Sequence, residues 1–265
     1  MKFIKTIIGN LDKKSISKIK TKKWNGYVMP IKDNIFQKLD KFKLEKVDKK
    51  KFIKLKKKDF LIPIEINSII GVGKNYTENY SQKLIKQFNK SPDFFMMNKN
   101  SLIASNKKTF LNKCYKSILV EGEIGVVIKK KCKNIKQDKA KNYILGYLIC
   151  NDYSGRDLMS LKKDSILLRK SLDGFLPIGP AIKLGHQKND FIIKTIVNKK
   201  LIQSFDTQNL ILNIEQIISN LSQYVTLNKN DLICTGSAIP KPKVKRGDNI
   251  RITVDGLGML NSNII

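Results

Sequence analysis

The chain has 265 residues, with 52 Lys or Arg against 22 Asp or Glu, a formal charge of +30 with its single histidine neutral. That length suits one large domain or two smaller ones, and 41% hydrophobic residues supply a packed core that a disordered chain of this charge would lack. One imidazole, His186, excludes His-rich metal sites, His/Cys zinc modules and any Ser-His-Asp triad not built on it. Chemistry must then rest on carboxylates, lysines, hydroxyls or a hard cation.

Cys114, Cys132, Cys150 and Cys234 stand far apart with no C-x-x-C pair, and read as buried thiols of a reducing compartment. The apolar stretch Met1–Gly9 is broken by Lys2 and Lys5 and lacks a small-residue cleavage site, so a signal peptide is not expected. No run approaches the roughly 18 apolar residues of a membrane span. A cytoplasmic protein without a membrane partner is expected. Only Arg156, Arg169, Arg246 and Arg251 among the basic residues are arginines, whereas readers of phosphate and bases lean on the guanidinium. Lysine, isoleucine and asparagine share AT-rich codons, so the charge reads mainly as compositional drift. A selected polyanion surface is the lesser reading.

In chain order, residues 1–60 form a small basic unit of 20 lysines and 6 acids. Short strands fall around Met1–Ile8 and Gly26–Met29, Phe3, Ile4, Ile7, Ile8, Trp24, Tyr27, Val28 and Met29 are candidate core, and Lys49–Lys58 reads as a solvated linker. Beyond Pro63, Ser68–Val72 is a continuous apolar strand, Glu78–Phe88 a short helix and Ser117–Ile128 a strand of period two. A polar helix begins at Asp138–Asn142 and gives way to a buried strand, Tyr143–Asn151. Phe191–Asn198 and Lys200–Ser204 read as paired strands. Ile214, Ile217, Ile218 and Leu221 make one apolar helical face over Asn213–Tyr224, with Asn213 as cap. Strands at Asp231–Thr235, Asn249–Val254 and Met259–Ile264 complete the chain, the last two joined through Asp255-Gly256. Many strands with few short helices indicate an α+β, mainly β architecture.

Within Leu119–Ile128 the even positions are apolar apart from Gly122, while Glu121 and Glu123 share the odd face, about 7 Å apart along the strand. Two adjacent anions repel unless solvated or bridged by a cation, so this is either a wet face or a site. Asp152 tips the balance, because it follows the buried strand directly, with Arg156 and Asp157 beside it to fix its orientation. Three carboxylates converging from two strands form an all-oxygen site suited to Mg²⁺ or Mn²⁺. His186 lies in a polar turn, and Gly71-Val72-Gly73 lacks the third glycine and the βαβ pattern of a dinucleotide loop.

From about Ile62 onward Ile69-Ile70-Gly71-Val72-Gly73-Lys74-Asn75-Tyr76, Glu121-Gly122-Glu123, Gly146-Tyr147, Asn151-Asp152, Arg156-Asp157 and Lys170-Ser171-Leu172-Asp173 follow in order, and in them the chain resembles the fumarylacetoacetate hydrolase family. The resemblance continues through Pro177-Ile178-Gly179-Pro180, Gln203 with Thr207, Thr226-Leu227 to Asp231, Thr235-Gly236 and Gly247-Asp248. It is similar to acylpyruvate and fumarylpyruvate hydrolases and to 2-hydroxyhepta-2,4-diene-1,7-dioate isomerases of that family. The resemblance implies a rolled mixed β-sheet catalytic domain over 61–265, preceded by a small α+β domain over 1–60, and a homodimer. It implies Glu121, Glu123 and Asp152 as ligands of Mg²⁺ or Mn²⁺, and Lys170 as the group that stabilises an enolate. Arg156 and Gln203 would hold substrate or pocket, and Tyr76, Thr235, Gly236 and Ser237 fall on the substrate side.

The implied substrate is a small 2-oxo acid or 1,3-dicarbonyl acid, and the implied reaction C–C bond hydrolysis. Where hydrolytic members place a water-activating His and Glu, this chain has Asn79 and Gln82, neutral amides that take no proton near pH 7. Met97 stands where the family often has lysine, and Thr235-Gly236-Ser237-Ala238 replaces a Thr-Gly-Thr-Pro loop. The changes at Asn79 and Gln82 raise isomerisation, tautomerisation and decarboxylation as alternatives, with a non-enzymatic metal- or partner-binding remnant as the third. Dispersed lysines supply attraction without base readout, so polyanion binding should be weak, unspecific and lost near about 0.5 M salt. Sequence-selective binding that survives that salt in a filter assay would contradict this.

Overall fold

Alternating apolar residues become two large β-sheets packed over a common core, with two small two-stranded sheets beside them, in the computed structural model, which describes residues 4–22, 25–44, 46, 49–90, 92–113, 115–155, 165–188 and 190–265. Phe3, Trp24, Cys114, Arg156 and Asp157 lie outside the described residues, as does the side chain of Asn79. The larger sheet has 12 strands. From its N-terminal edge it runs Phe52–Lys54, Ile35–Leu39, Asn25–Lys32, Ser15–Lys20, Ile182–Leu184, Ile144–Asn151, Gly122–Ile128, Leu232–Cys234, Ile69–Gly73 and Asp93–Met97. Leu176–Ile178 and Leu102–Ala104 attach beside Cys150. The smaller sheet has five strands, Lys108–Thr109, Gly258–Ile264, Asn249–Val254, Ile192–Val197 and Lys200–Asp206.

The Gly122–Ile128 strand is buried on both faces, which explains its run of small and branched residues. Its even side, Ile124, Val126 and Ile128, packs against Ile193, Ile250, Ile252 and Leu260 of the smaller sheet and against the helix Ile214–Tyr224. That helix is capped as expected: the Asn213 side chain accepts from the Gln216 N–H and the Gln216 side chain accepts from the Asn213 N–H. Its odd side joins a second core of Val127, Leu148, Cys150, Leu176, Leu232 and Cys234. Cys132, Cys150 and Cys234 are free, buried thiols.

Three expectations shift, and strands outside the expected elements join the sheet. The strand Ser117–Ile128 divides into Ile118–Leu119 and Gly122–Ile128, because the Val120 N–H turns to Pro242 O and the Glu121 N–H to the Asn151 side chain. The helix expected from Glu78 starts at Gln82, after a tight turn over Thr77–Asn79 and the Ser81 hydroxyl, which accepts from the Leu84 N–H. The lysine-rich stretch Lys49–Lys58 is no free linker, since Phe52–Lys54 extends the sheet edge and Leu55 is buried with Phe36 and Phe60. Strands at Ser15–Lys20, Ile35–Leu39, Asp93–Met97 and Ile182–Leu184 have no clear period in the sequence and join the sheet all the same.

The first 60 residues share the large sheet with the rest, through Ile16 opposite Ile182 and Ser15 opposite Lys183. Among their described residues the helical content is two tight turns, Lys49–Lys51 and Lys57–Asp59. Ile8 and Val28 enter a small core with Leu11, Ile19 and Phe36, Met29 joins the second core, and Ile4, Ile7 and Tyr27 are half-buried. No described helix is long and apolar enough to cross a membrane.

Gly125 tests this packing. A Cβ there would lie 2.5 Å from Cys150 Sγ, 2.6 Å from Leu148 Cδ1 and 2.9 Å from Leu232 Cδ1. Overpacking of this kind costs about 1–3 kcal/mol, so Gly125→Val should lower the unfolding free energy from a urea titration by that amount, with an earlier midpoint. A midpoint unchanged from wild type would show that this centre is loosely packed.

Candidate active site

Strand register builds the centre of the site. Gly122 pairs with Asn151 and Glu123 with Cys150, and the Asp152 N–H donates to Glu121 O at 2.9 Å, so Asp152 lies directly across from Glu121. Opposed residues of an antiparallel pair project to one face, and residues two apart share it. Glu121, Glu123 and Asp152 therefore converge, with one carboxylate oxygen of each within 4.8 Å of the others and exposures of 4%, 2% and 1%. The wet-face reading is overturned.

Each carboxylate is held differently. Lys170, the last residue of the short helix Ile166–Lys170, places Nζ 2.8 Å from Asp152 Oδ2 and 2.9 Å from Glu121 Oε1. Lys241 Nζ donates to Glu121 Oε2 at 2.6 Å. Among the described residues Glu123 meets no lysine in this way; its Oε2 accepts from the Gly236 N–H at 2.8 Å. Gly236 has φ +95°, and a Cβ there would come 2.9 Å from Val72 O, so the donor requires glycine. The loop carrying it is fixed by Asn75 Nδ2 to Thr235 O at 3.0 Å, by Thr235 Oγ1 to Ile124 O at 3.0 Å, and by Gln203 Nε2 to Ala238 O and Pro240 O at 2.7 and 3.0 Å.

The charges sort themselves accordingly. Burial would raise the Glu121 carboxyl, but Lys170 and Lys241 outweigh it and hold it at about 2. Burial, followed by repulsion from Asp152 and Glu121, drives Glu123 well above the carboxylate range. Asp152 is lifted to about 6 by burial, which Lys170 only partly offsets. Burial opposes the charge on Lys170, yet the three carboxylates outweigh it and keep it protonated. A hard divalent cation fits this donor set. The donors are all oxygen, they are close enough to share one ion, and the buried Asp152 Oδ1 has no hydrogen-bond partner among the described residues.

The carboxylates open into a cleft of about 670 Å³, also lined by Val72, Lys74, Phe95, Ile166, Arg169, Lys170, Ser237, Ile239 and Lys241. Of the residues singled out in the sequence, Glu121, Glu123, Asp152, Lys170 and Ser237 line this cleft. Gly236, Thr235 and Gln203 support it from behind. Tyr76 is fully buried against Phe205, with its hydroxyl unpartnered among the described residues and pushed well up by burial and by Glu123. Gln82 is exposed at the start of its helix and does not line the cleft, Asn79 is placed only by its backbone, and Arg156 lies outside the described residues. Met97 is buried with Val127 and Ile69. His186 sits at the surface, 2.6 Å from Glu215.

Sequence reasoning missed Lys241, Lys74 and Asn75 as working parts. In the sequence Asn75 is one letter of a motif, yet its side chain ties the Thr235 loop to the Leu212 backbone. Lys241 carries no signal of its own among so many lysines.

Residues 68–265 match the family described as fumarylacetoacetate (FAA) hydrolase C-terminal. A fumarylacetoacetate hydrolase domain-containing protein 2 homolog from Dictyostelium discoideum is 33% identical over 222 residues, covering 76% of this chain and 72% of that protein. A 4-hydroxyphenylacetate degradation bifunctional isomerase/decarboxylase from Escherichia coli is 30% identical over 207 residues, covering 77% of this chain and 48% of that protein. Among solved structures, a 5-carboxymethyl-2-hydroxymuconate delta-isomerase from Mycobacterium smegmatis superposes with a TM-score of 0.79 at 26% identity, over 95% of this chain and 98% of that one.

The shifted carboxyls have opposite consequences for stability. Asp152 is raised from 3.8 to about 6, so its contribution is fully present below about pH 3.8 and is lost as pH rises through 6. Glu121 is lowered from 4.5 to about 2, so its contribution is present above 4.5 and lost only as pH falls through 2. At pH 5 to 7.5 the raised carboxyls Asp152 and Glu123 govern, and comparison with Asp152→Asn reads the Asp152 part. In EDTA, the melting temperature of wild type relative to Asp152→Asn should therefore rise on acidification across that window. A relative melting temperature that is flat with pH would show that Asp152 is not held as described.

Proposed function

The chain belongs to the fumarylacetoacetate hydrolase family, and we propose that it is a divalent-metal-dependent enzyme that takes a small 2-oxo acid or 1,3-dicarbonyl acid through an enolate. The observation that carries this reading is the buried cluster of Glu121, Glu123 and Asp152 with Lys170 against it at the floor of a cleft. The three carboxylates would hold Mg²⁺ or Mn²⁺, which when bound supplies Lewis-acid polarisation of substrate oxygens. Lys170 stays charged and faces the same point, so its ammonium is placed to hold the negative charge that develops on a keto oxygen. The Gly236 N–H keeps Glu123 turned inward, and Lys241 does the same for the outer oxygen of Glu121.

Hydrolysis asks for one more group. The hydroxyl of water must add to the acyl carbon, the C–C bond must break with its electron pair passing into the pyruvate enolate, and a base must take the water's proton. Gln82 is an exposed amide off the cleft, and an amide at position 79 takes no proton near neutral pH. This favours a second reading, isomerisation, tautomerisation or decarboxylation of the same substrate class, for which enolate stabilisation suffices. The related isomerase/decarboxylase and the isomerase of similar structure point the same way.

Oxaloacetate tautomerisation and decarboxylation, and acylpyruvate hydrolysis, should be assayed with and without Mg²⁺. Metal-dependent enolisation is expected in wild type, with a loss of about 10²-fold or more in Glu123→Gln. Hydrolysis should be slow, short by about 10² or more, the share that general-base assistance typically supplies. Enolisation indifferent to Glu123→Gln would sink the metal reading, and fast hydrolysis by the unmodified protein would sink the assignment of a missing base.

A further inference from the structure

Most of the lysine excess is spread along the chain, but one part of the N-terminal unit gathers it. Lys20 and Lys22 stand at and just beyond the end of the strand Ser15–Lys20, and Lys54, Lys56 and Lys58 on the segment that leaves Phe52–Lys54; all five line one open concavity of about 1010 Å³. Their placement follows from what lies between them. Ile19, Leu55 and Phe60 are buried together in the small N-terminal core, so Lys20, Lys54 and Lys56, which flank Ile19 and Leu55, turn outward. The backbone under them is pinned, with the Leu55 N–H donating to Asn34 O at 2.9 Å and the Leu61 N–H to Lys18 O at 2.8 Å. The turn Lys57–Asp59 brings Phe60 alongside Ile19, which closes the two segments around the concavity.

Five ammonium groups thus line one space together with a single acid, Asp59, among its described lining residues. That carboxylate is already engaged, because its Oδ2 accepts from the Lys56 N–H at 2.7 Å. A space of this volume is about 10 Å across, the range of a Debye length, so the five charges repel one another and a multivalent anion relieves them together. The residue type narrows the anion. An ammonium is a compact point charge without the fork that matches a planar carboxylate, and it suits phosphate oxygens, which present charge in several directions. The cations come from two segments around a concavity instead of running along one strand, an arrangement that encloses a short ligand and does not track a polymer. The described lining of this concavity shares no residue with that of the carboxylate cleft.

We propose that this concavity is a binding site for a short chain of linked phosphates, such as free inorganic triphosphate or the triphosphate of a nucleotide. The phosphate oxygens lie among Lys20, Lys22, Lys54, Lys56 and Lys58. Because these lysines sit on backbone fixed by Ile19, Leu55 and Phe60, the site is preformed, and binding is governed by these five charges and not by the net charge of the chain. The proposal does not depend on the enolate reading of the carboxylate cleft.

The test is calorimetric titration of the full chain, in EDTA and about 0.15 M salt, with inorganic triphosphate, ATP, AMP and a single-stranded oligonucleotide. One triphosphate per chain is expected, with AMP much weaker. Inorganic triphosphate binding as tightly as ATP, or more tightly, assigns the site to the free chain of phosphates, and ATP binding more tightly assigns it to the nucleotide. The triple change Lys20→Gln, Lys54→Gln and Lys56→Gln should weaken triphosphate binding by about tenfold or more, since exposed charge pairs contribute up to about fivefold each. The triple change Lys129→Gln, Lys131→Gln and Lys141→Gln removes the same net charge from exposed lysines of another segment and should leave binding within about twofold of wild type. Arginine at positions 20, 54 and 56 should retain binding, and all three variants should melt with wild type because the side chains are exposed. Absence of triphosphate binding, several triphosphates bound per chain with one affinity, equal weakening by the two glutamine triples, loss of binding in the arginine variant, or an oligonucleotide bound more tightly than ATP would each overturn the proposal.

Discussion

Three carboxylates buried within 4.8 Å of one another are the constraint around which the rest of this structure is arranged. Removing charged groups from water costs several kcal/mol per ion even after relaxation, and like charges at this distance add to it. The fold answers with three devices of different kinds. Lys170 is shared between Glu121 and Asp152, Lys241 takes the other oxygen of Glu121, and a backbone N–H serves Glu123. The division leaves Glu123 the least compensated of the three, which is why its carboxyl is pushed up while Glu121 is held down. A divalent cation held there would complete the balance that two ammonium groups and one amide leave short.

Placing these groups is a matter of sheet register more than of loops. A slip of one residue between Gly122–Ile128 and Ile144–Asn151 would send Glu123 into the apolar layer beneath the smaller sheet and bring Ile124 into the cleft. The register is guarded on both faces. Gly122 has only 3.2–3.3 Å of clearance to Ile252, Thr195 and Ile193, and Gly125 leaves room for the thiol of Cys150. The N-terminal strands extend the same sheet through Ile182–Leu184, and so stiffen the Ile144–Asn151 strand from its other edge.

What the sequence made legible follows from this. The parity of Leu119–Ile128 and the position of Asp152 after an apolar run are local signals, and they placed the three carboxylates correctly on one face. The helix at Ile214–Tyr224 was equally plain, because cap and apolar stripe agreed. The supports of the site are not local. Asn75 reaches a loop 160 residues away, and Lys241 finds Glu121 across 120 residues of chain. Nothing in the neighbourhood of either residue announces its partner. The same holds for the N-terminal strands: in a lysine-rich background Phe52 and Ile53 look like scattered apolar residues in a linker, and only the neighbouring strand Ile35–Leu39 gives them an edge to join.

The two halves of the site differ in how they are built, and that difference bears on the chemistry. The metal-binding half lies on paired strands at the centre of the largest sheet, nearly without exposure, where a substitution disturbs two cores at once. The half where a water-activating pair would stand lies on a tight turn and the first residue of an exposed helix, tied down chiefly through Phe88 and the Thr77 hydroxyl bond to Asn209 O. Residues there can change without a cost in stability, so the amides at positions 79 and 82 leave the fold and the carboxylate half as they stand. The carboxylates and Lys170 keep a costly buried arrangement that an apolar core would not need, and such an arrangement is best accounted for by a cation and an anionic substrate that use it.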